Sequence, residues 1–277
     1  MDVMETILPG GLPTRRGVER RVRFKQLTGH TELALIELDK NLSRPSYASS
    51  VLTLTLDSIG DQAVDRECVM SLCVADCQFL MLRLSAMLAG EQQWLKVTCS
   101  HCDAFFDVDF RRNELPVKEA GQGFPYTTLS LEAGEAELRV PTAADQCEVA
   151  KLHEHEAMWH MLRCSIQRID HTLPALPLIR NLSGVDIAAI DQALDAVSPA
   201  VCNELLVVCP ECDGEQSTRL DHYKLSGLDG NAIYDDIHTL AMYYHWSETA
   251  ILDMTRARRY KYLELIDRSR AMHGQVA

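Results

Sequence analysis

Trp94-Leu-Lys-Val-Thr-Cys-Ser-His-Cys102 and Leu205-Leu-Val-Val-Cys-Pro-Glu-Cys212 follow one pattern: an apolar, strand-like run ending in two cysteines spaced by two residues. A second strand-like run follows each pair, Phe105 to Phe110 after the first and Gln216 to Leu220 after the second. Strand, tight turn and returning strand make a knuckle. The two-residue spacer lets both sulfurs of a pair reach one ion, and N–H groups of the turn support their charge. Two knuckles supply the four thiolates of a closed tetrahedral Zn2+ site, so Cys99, Cys102, Cys209 and Cys212 are the candidate ligands. Because 106 residues lie between Cys102 and Cys209, far more than a zinc ribbon carries, the fold itself must bring the knuckles together.

One CxxC would equally suit a redox pair, and four reduced thiols without metal remain an alternative. A redox CxxC opens a helix, whose N-terminus lowers the thiol pKa. Here Asp103 and a strand-like run follow the first pair, and Asp213-Gly214 follows the second.

The chain of 277 residues is 47% hydrophobic and 24% charged, enough for one large domain or two small ones with a sizeable core. Its net charge of −13 argues against a general nucleic-acid binder, which needs a basic surface, and suits protein partners. Six of the ten cysteines lie outside the knuckles without paired spacing. Among them Cys73 and Cys77, four residues apart, read as core. Met1 to Arg16 lacks a charged-then-apolar secretory pattern, so reduced thiols in a cytoplasm are expected. No run of 18 apolar residues exists, so no membrane span is expected.

Residues 1–18, with Pro9-Gly-Gly-Leu-Pro13, read as an extended arm, and 19–277 as a single α+β domain. Val22 to Leu27 alternates as a strand, Thr31 to Leu38 is a short helix, and Ser49 to Ile59 has helix length. Ala63 to Ala89 reads as two helical pieces, the second capped by Asp76 and closed by Gly90. Glu114 to Gln122 is a loop. Tyr126 to Val140 is a hairpin turning at Glu132-Ala-Gly134. Thr142 caps a helix expected to run to about Arg168, with Asp145 at its third position. Val185 to Val197 is an amphipathic helix. Asn231 to Tyr244, a piece capped by Ser247, and Arg256 to about Met272, capped by Thr255, form a helical C-terminal part at 229–272. The fold class is α+β: a small β-rich zinc-knuckle centre, at 94–110 and 205–220, surrounded by helices.

His153-Glu-His-Glu-Ala-Met-Trp-His160 invites comparison with HExxH, but His155 and His160 are five apart, about 140° round a helix, so their rings diverge. Arg256, Arg258, Arg259 and Lys261 cluster at the start of the last helix, either as contacts to an acidic partner or nucleic acid, or as a solvated face. Cations at a helix N-terminus are mildly unfavourable. The chain has no GxxxxGK[ST], no GxGxxG after a strand and no GxSxG, so no catalytic residue is assigned and a non-enzymatic role is expected.

Phe24-Lys-Gln-Leu-Thr-Gly29, Val74-Ala-Asp-Cys-Gln-Phe-Leu80, Val97-Thr-Cys-Ser-His-Cys102 with Phe106-Asp-Val-Asp109, Val208-Cys-Pro-Glu-Cys212, and Tyr244-His-Trp-Ser-Glu248 with Arg256 to Asp267 occur in this order. Taken together, the chain from Val22 to Asp267 resembles the T4-type baseplate hub and hub-assembly proteins of contractile phage tails and related contractile injection systems. The resemblance implies a structural or assembly protein that helps build a baseplate or hub by contacts with other baseplate and tail proteins. It implies work in the cytoplasm of the producing bacterial cell, with or without retention in the finished tail, and no small-molecule substrate. A zinc-ribbon nucleic-acid-binding regulator using Arg256 to Lys261 is the alternative, which the net charge disfavours. The first knuckle ends Cys102-Asp-Ala rather than Cys-Gly, so its turn must accept a residue with a Cβ.

Overall fold

The computed structural model describes residues 4–274. Strands β1 (Glu5–Thr14) and β2 (Gly17–Phe24) pair antiparallel. Helices α1 (Gly29–Ile36) and α2 (Arg44–Thr55) follow, then strands β3 (Leu56–Ile59) and β4 (Gln62–Ala63), which complete a sheet of order β1-β2-β3-β4. Helices α3 (Arg66–Ser71) and α4 (Val74–Ala89) pack beneath it. Leu8, Phe24, Leu52, Leu56, Leu80 and Leu84, each at most 1% exposed, anchor this principal core.

The expected N-terminal arm is instead the first strand of that sheet; Met1 to Val3 lie outside the described residues. Leu8 to Leu12 are buried, and the register shifts between Ile7 and Leu12. That bulge takes amides out of the ladder, and a buried N–H must find another acceptor. Asp76 provides it: its carboxylate accepts from Gly10 N–H at 2.8 Å and Gly11 N–H at 2.7 Å. Asp76 therefore does not cap α4. Cys73 is the N-cap residue, and the fully buried Asp76 carboxylate serves β1. Burial raises its pKa, and the Gly11 and Gly10 amides hold it partly back.

The helix read over Ser49 to Ile59 starts earlier and stops sooner. Pro45 sits in the first turn of α2, where its missing N–H costs nothing. The hydroxyls of Ser49, Ser50, Thr53 and Thr55 each donate to the carbonyl four residues back, so they are satisfied within the helix. Leu56–Ile59 then leaves as β3. Helix α4 ends as read, with Gly90 at φ 84°, a conformation that suits glycine.

Strands β5 (Gln92–Thr98) and β6 (Phe105–Arg111) form a two-stranded hairpin. Strand β7 (Val117–Lys118) lies within the expected 114–122 loop. The hairpin of β8 (Tyr126–Leu131) and β9 (Gly134–Arg139) turns where the sequence indicates. Thr142 and Asp145 form a reciprocal capping box on α5 (Ala143–Val149). The helix then breaks: α6 is Glu154–Ser165, and Ile166–Ile169 is strand β10, paired with β9. Ile166 and Ile169 are buried with Ala136 and Leu138, so a sheet partner outcompetes the last helical turn. Helices α7 (Leu176–Arg180) and α8 (Gly184–Val197) cover this second core. Strand β11 (Ala200–Val201) pairs with β7, and β12 (Glu204–Val208) with β13 (Glu215–Arg219) in a second hairpin. Helices α9 (Ala232–Tyr244), α10 (Glu248–Leu252) and α11 (Arg256–Gly274) enclose Leu240, Ile251 and Ile266. Ser247 caps α10, as read. No helix among the described residues is long and apolar enough to cross a membrane.

Candidate metal centre

The hairpins β5–β6 and β12–β13 carry equivalent turns. The first cysteine of each donates its N–H to the carbonyl five residues on, Cys99 to Ala104 at 2.8 Å and Cys209 to Gly214 at 3.0 Å. The aspartate after each second cysteine donates back to the first cysteine's carbonyl, Asp103 at 3.1 Å and Asp213 at 3.0 Å. Both aspartates occupy the left-handed region, with φ 59° and 56°, which Asp tolerates better than most residues with a Cβ. The aspartate of Cys102-Asp-Ala is thus matched by Asp213 in the second knuckle. Gly214 is needed for a different reason: a Cβ there would stand 2.6 Å from Cδ2 of His101, which reaches across from the first knuckle.

The fold brings the two turns together. Cys99, Cys102, Cys209 and Cys212 place their sulfurs within 4.8 Å of one another, a set of four donors able to hold a metal ion. Across the knuckles Cys99 Sγ lies 3.7 Å from Cys212 Sγ, and Cys102 Sγ 3.8 Å from Cys209 Sγ. Cys99 and Cys209 are buried, whereas Cys102 and Cys212 reach the surface. The His101 N–H, donating to Cys99 Sγ at 3.3 Å, is the main reason the Cys99 thiol is drawn down to about 6. At Cys102 the Ala104 N–H also pulls downward. The Cys212 thiol, lost hydration and the other two sulfurs outweigh it and leave Cys102 at about 12.

Gln216, which sequence reasoning missed, stitches one knuckle to the other. Its Oε1 accepts from Ser100 N–H at 2.6 Å and from the Ser100 hydroxyl at 3.0 Å, and its Nε2 donates to Thr98 O at 3.0 Å. A glutamine on an exposed strand carries no local signal of this role. His101 adds a contact to Glu215 O at 3.2 Å.

The basic cluster of α11 is not an outward patch. Arg259 is fully buried, donates from Nη2 to Glu32 Oε1 at 2.8 Å and from Nη1 to Met254 O at 2.9 Å, and lies 3.5 Å from Asp236. Arg256 donates from Nε to Glu32 Oε2 at 2.9 Å, and to the carbonyls of Leu88 and Gly227. The buried Glu32 of α1 therefore consumes both arginines. Lys261 pairs with Glu264 at 3.1 Å, and it and Arg258 are exposed.

No curated protein and no solved structure matches the chain. A family model described as T4 bacteriophage base plate protein matches residues 14–224, a span that holds both knuckles and all four clustered cysteines. With most of its length matched, the chain belongs to the T4 bacteriophage base plate protein family.

Proposed function

We propose that this baseplate protein is a non-enzymatic structural or assembly component that joins other baseplate and tail proteins, its two knuckles clamped by one structural Zn2+. The sulfur geometry carries this reading. Four thiolates about 2.3 Å from a tetrahedral Zn2+ stand about 3.8 Å apart; the Cys99–Cys212 and Cys102–Cys209 separations are 3.7 and 3.8 Å, and all four sulfurs lie within 4.8 Å of one another. A disulfide would need about 2.0 Å. The ion would close a loop of more than a hundred residues, offsetting an entropy that grows slowly with length.

The clamp holds both hairpins rigid while their outer faces stay bare. Trp94 and Phe105 are 64% and 83% exposed, and Leu206 and Val208 also face outward. On β5–β6 the alternation places Trp94, Lys96, Asp107 and Phe105 on one face. Large aromatics beside opposite charges suit a protein partner, since aromatics dominate interface energetics. A nucleic-acid role loses support, because the net charge is −13 and Arg256 and Arg259 are spent internally.

The test is zinc content of protein purified without chelator, read beside capture of tail proteins. Cys99→Ser and Cys209→Ser are each expected to lose the same single equivalent and stability. Trp94→Ala with Phe105→Ala is expected to keep that zinc and lose capture. Zinc-free wild-type protein, or full zinc in either cysteine variant, sinks the clamp. Unchanged capture in the aromatic variant sinks the contact face.

A further inference from the structure

A second group of ligating atoms lies far from the knuckles in sequence and does not depend on them. Glu148 stands on the last turn of α5, and His160 and Cys164 stand on α6. The last two are four residues apart, about 40° round the helix, so they share a face. His160 Nε2 lies 3.3 Å from Glu148 Oε2, and the three donor atoms lie within 4.8 Å of one another. The histidine-rich run thus offers metal-ligand spacing, from His160 forward to Cys164 rather than back to His155.

We propose that Glu148, His160 and Cys164 bind a divalent transition-metal ion, Zn2+ first among them, with the fourth coordination position open to solvent. The donor set selects the class. One imidazole, one thiolate and one carboxylate suit Zn2+ or Co2+, whereas Mg2+ and Ca2+ take oxygen ligands. Tetrahedral bond lengths of about 2.0 to 2.3 Å call for donors roughly 3.3–3.7 Å apart. The Glu148–His160 pair already meets this, and the exposed Glu148 side chain is free to adjust. The nearby cation is neutralised: Arg139, which donates to Cys164 O at 3.2 Å, pairs with Asp145 at 2.8 Å. A plain His160–Glu148 ion pair accounts for two of the residues; the Cys164 thiol, which bonds to the Asp145 side chain, is the third donor within reach and would give up that proton to bind a metal. A bound ion would staple α5 to α6 across the break at 150–153.

Zn2+ titration of the full chain by calorimetry, with thermal melts and Co2+ absorption, decides this. The Cys99→Ser background is included so that the knuckle site cannot supply the signal. For metal-free protein the expected result is two equivalents in the wild type and one in the Cys99→Ser background, a thiolate-to-Co2+ charge-transfer band that persists in that background, and a rise in Tm with Zn2+. His160→Ala and Cys164→Ser should each weaken binding at least about tenfold, because losing even a supporting partner of a ligand costs that much. Both side chains are partly exposed, so the variants should fold. No uptake in the Cys99→Ser background, or uptake that Cys164→Ser leaves unchanged, overturns the proposal.

Discussion

Replacing Glu32 by alanine should detach the last helix from the body. Glu32 is 2% exposed, and its two oxygens take Arg259 Nη2 at 2.8 Å and Arg256 Nη2 at 2.8 Å. Arg259 is fully buried and has no route to water. Removing Glu32 leaves the buried Arg259 charge only the longer contact to Asp236 at 3.5 Å, and losing one partner of a buried ion pair costs about 3–5 kcal/mol. At about 2–4 °C per kcal/mol for a chain of this size, Tm should fall by roughly 6–20 °C. If the loss is local, amides around Leu240, Ile251 and Ile266 should exchange between about a hundredfold and several thousandfold faster, with the principal core unaffected. Replacing the whole triad, with Glu32→Leu, Arg259→Met and Asp236→Asn together so that the Asp236 carboxylate is not left without Arg259, should recover most of the loss, since apolar replacements of buried ion pairs are commonly neutral or stabilising. Arg256, with its side chain 22% exposed, can turn to solvent. A Glu32→Ala variant within about 1 kcal/mol of wild type, with unaltered exchange in α9–α11, would refute the reasoning.

Gln216→Ala deletes three hydrogen bonds between the knuckles. At about 0.5–1.5 kcal/mol each, discounted for exposure, it should lower stability by about 1–2 kcal/mol, read from the denaturant midpoint. An unchanged midpoint would mean that the thiols alone set the knuckle pairing. His222 is buried, donates to Cys202 O at 2.8 Å, and burial depresses its pKa below 6.5. As pH falls below 6.5 the unfolded chain takes up a proton before the folded one, so this residue's share of stability is present above 6.5 and lost on acidification. His222→Gln keeps a donor without the titration, so its stability should decline less steeply below pH 6.5; parallel pH profiles would remove His222 from this role.

What local chemistry dictates was legible in the sequence. The knuckle hairpins follow from apolar runs closed by paired cysteines. The Thr142–Asp145 box, the Ser247 cap and the Gly90 stop each depend on residues within four positions. What depended on a distant partner was not legible. Pro9-Gly-Gly-Leu-Pro13 has the composition of a loose arm, yet Asp76, 65 residues away, accepts the Gly11 amide and makes it a strand. Ile166 to Ile169 continues a helical pattern until β9 offers a ladder. Arg256 and Arg259 look outward until Glu32 is placed beneath them, and Gln216 has no visible task until the second knuckle stands beside Ser100.

These long-range joins share a physical character. The apolar interior is divided into separate clusters, one under the N-terminal sheet, one under β8–β10 and one within α9–α11 among them. Burial stabilises each cluster but is indifferent to how one sits against the next, because apolar contact is non-directional. Direction comes from groups with fixed geometry: the Asp76 carboxylate on the Gly10 and Gly11 amides, Glu32 between two guanidinium groups, and four sulfurs converging from two hairpins. Trimming a core leucine should therefore weaken its own cluster, whereas losing a join should free whole elements from one another. On the proposed role of joining other baseplate proteins, relative placement is the property to protect, and it rests on a few polar and thiol side chains.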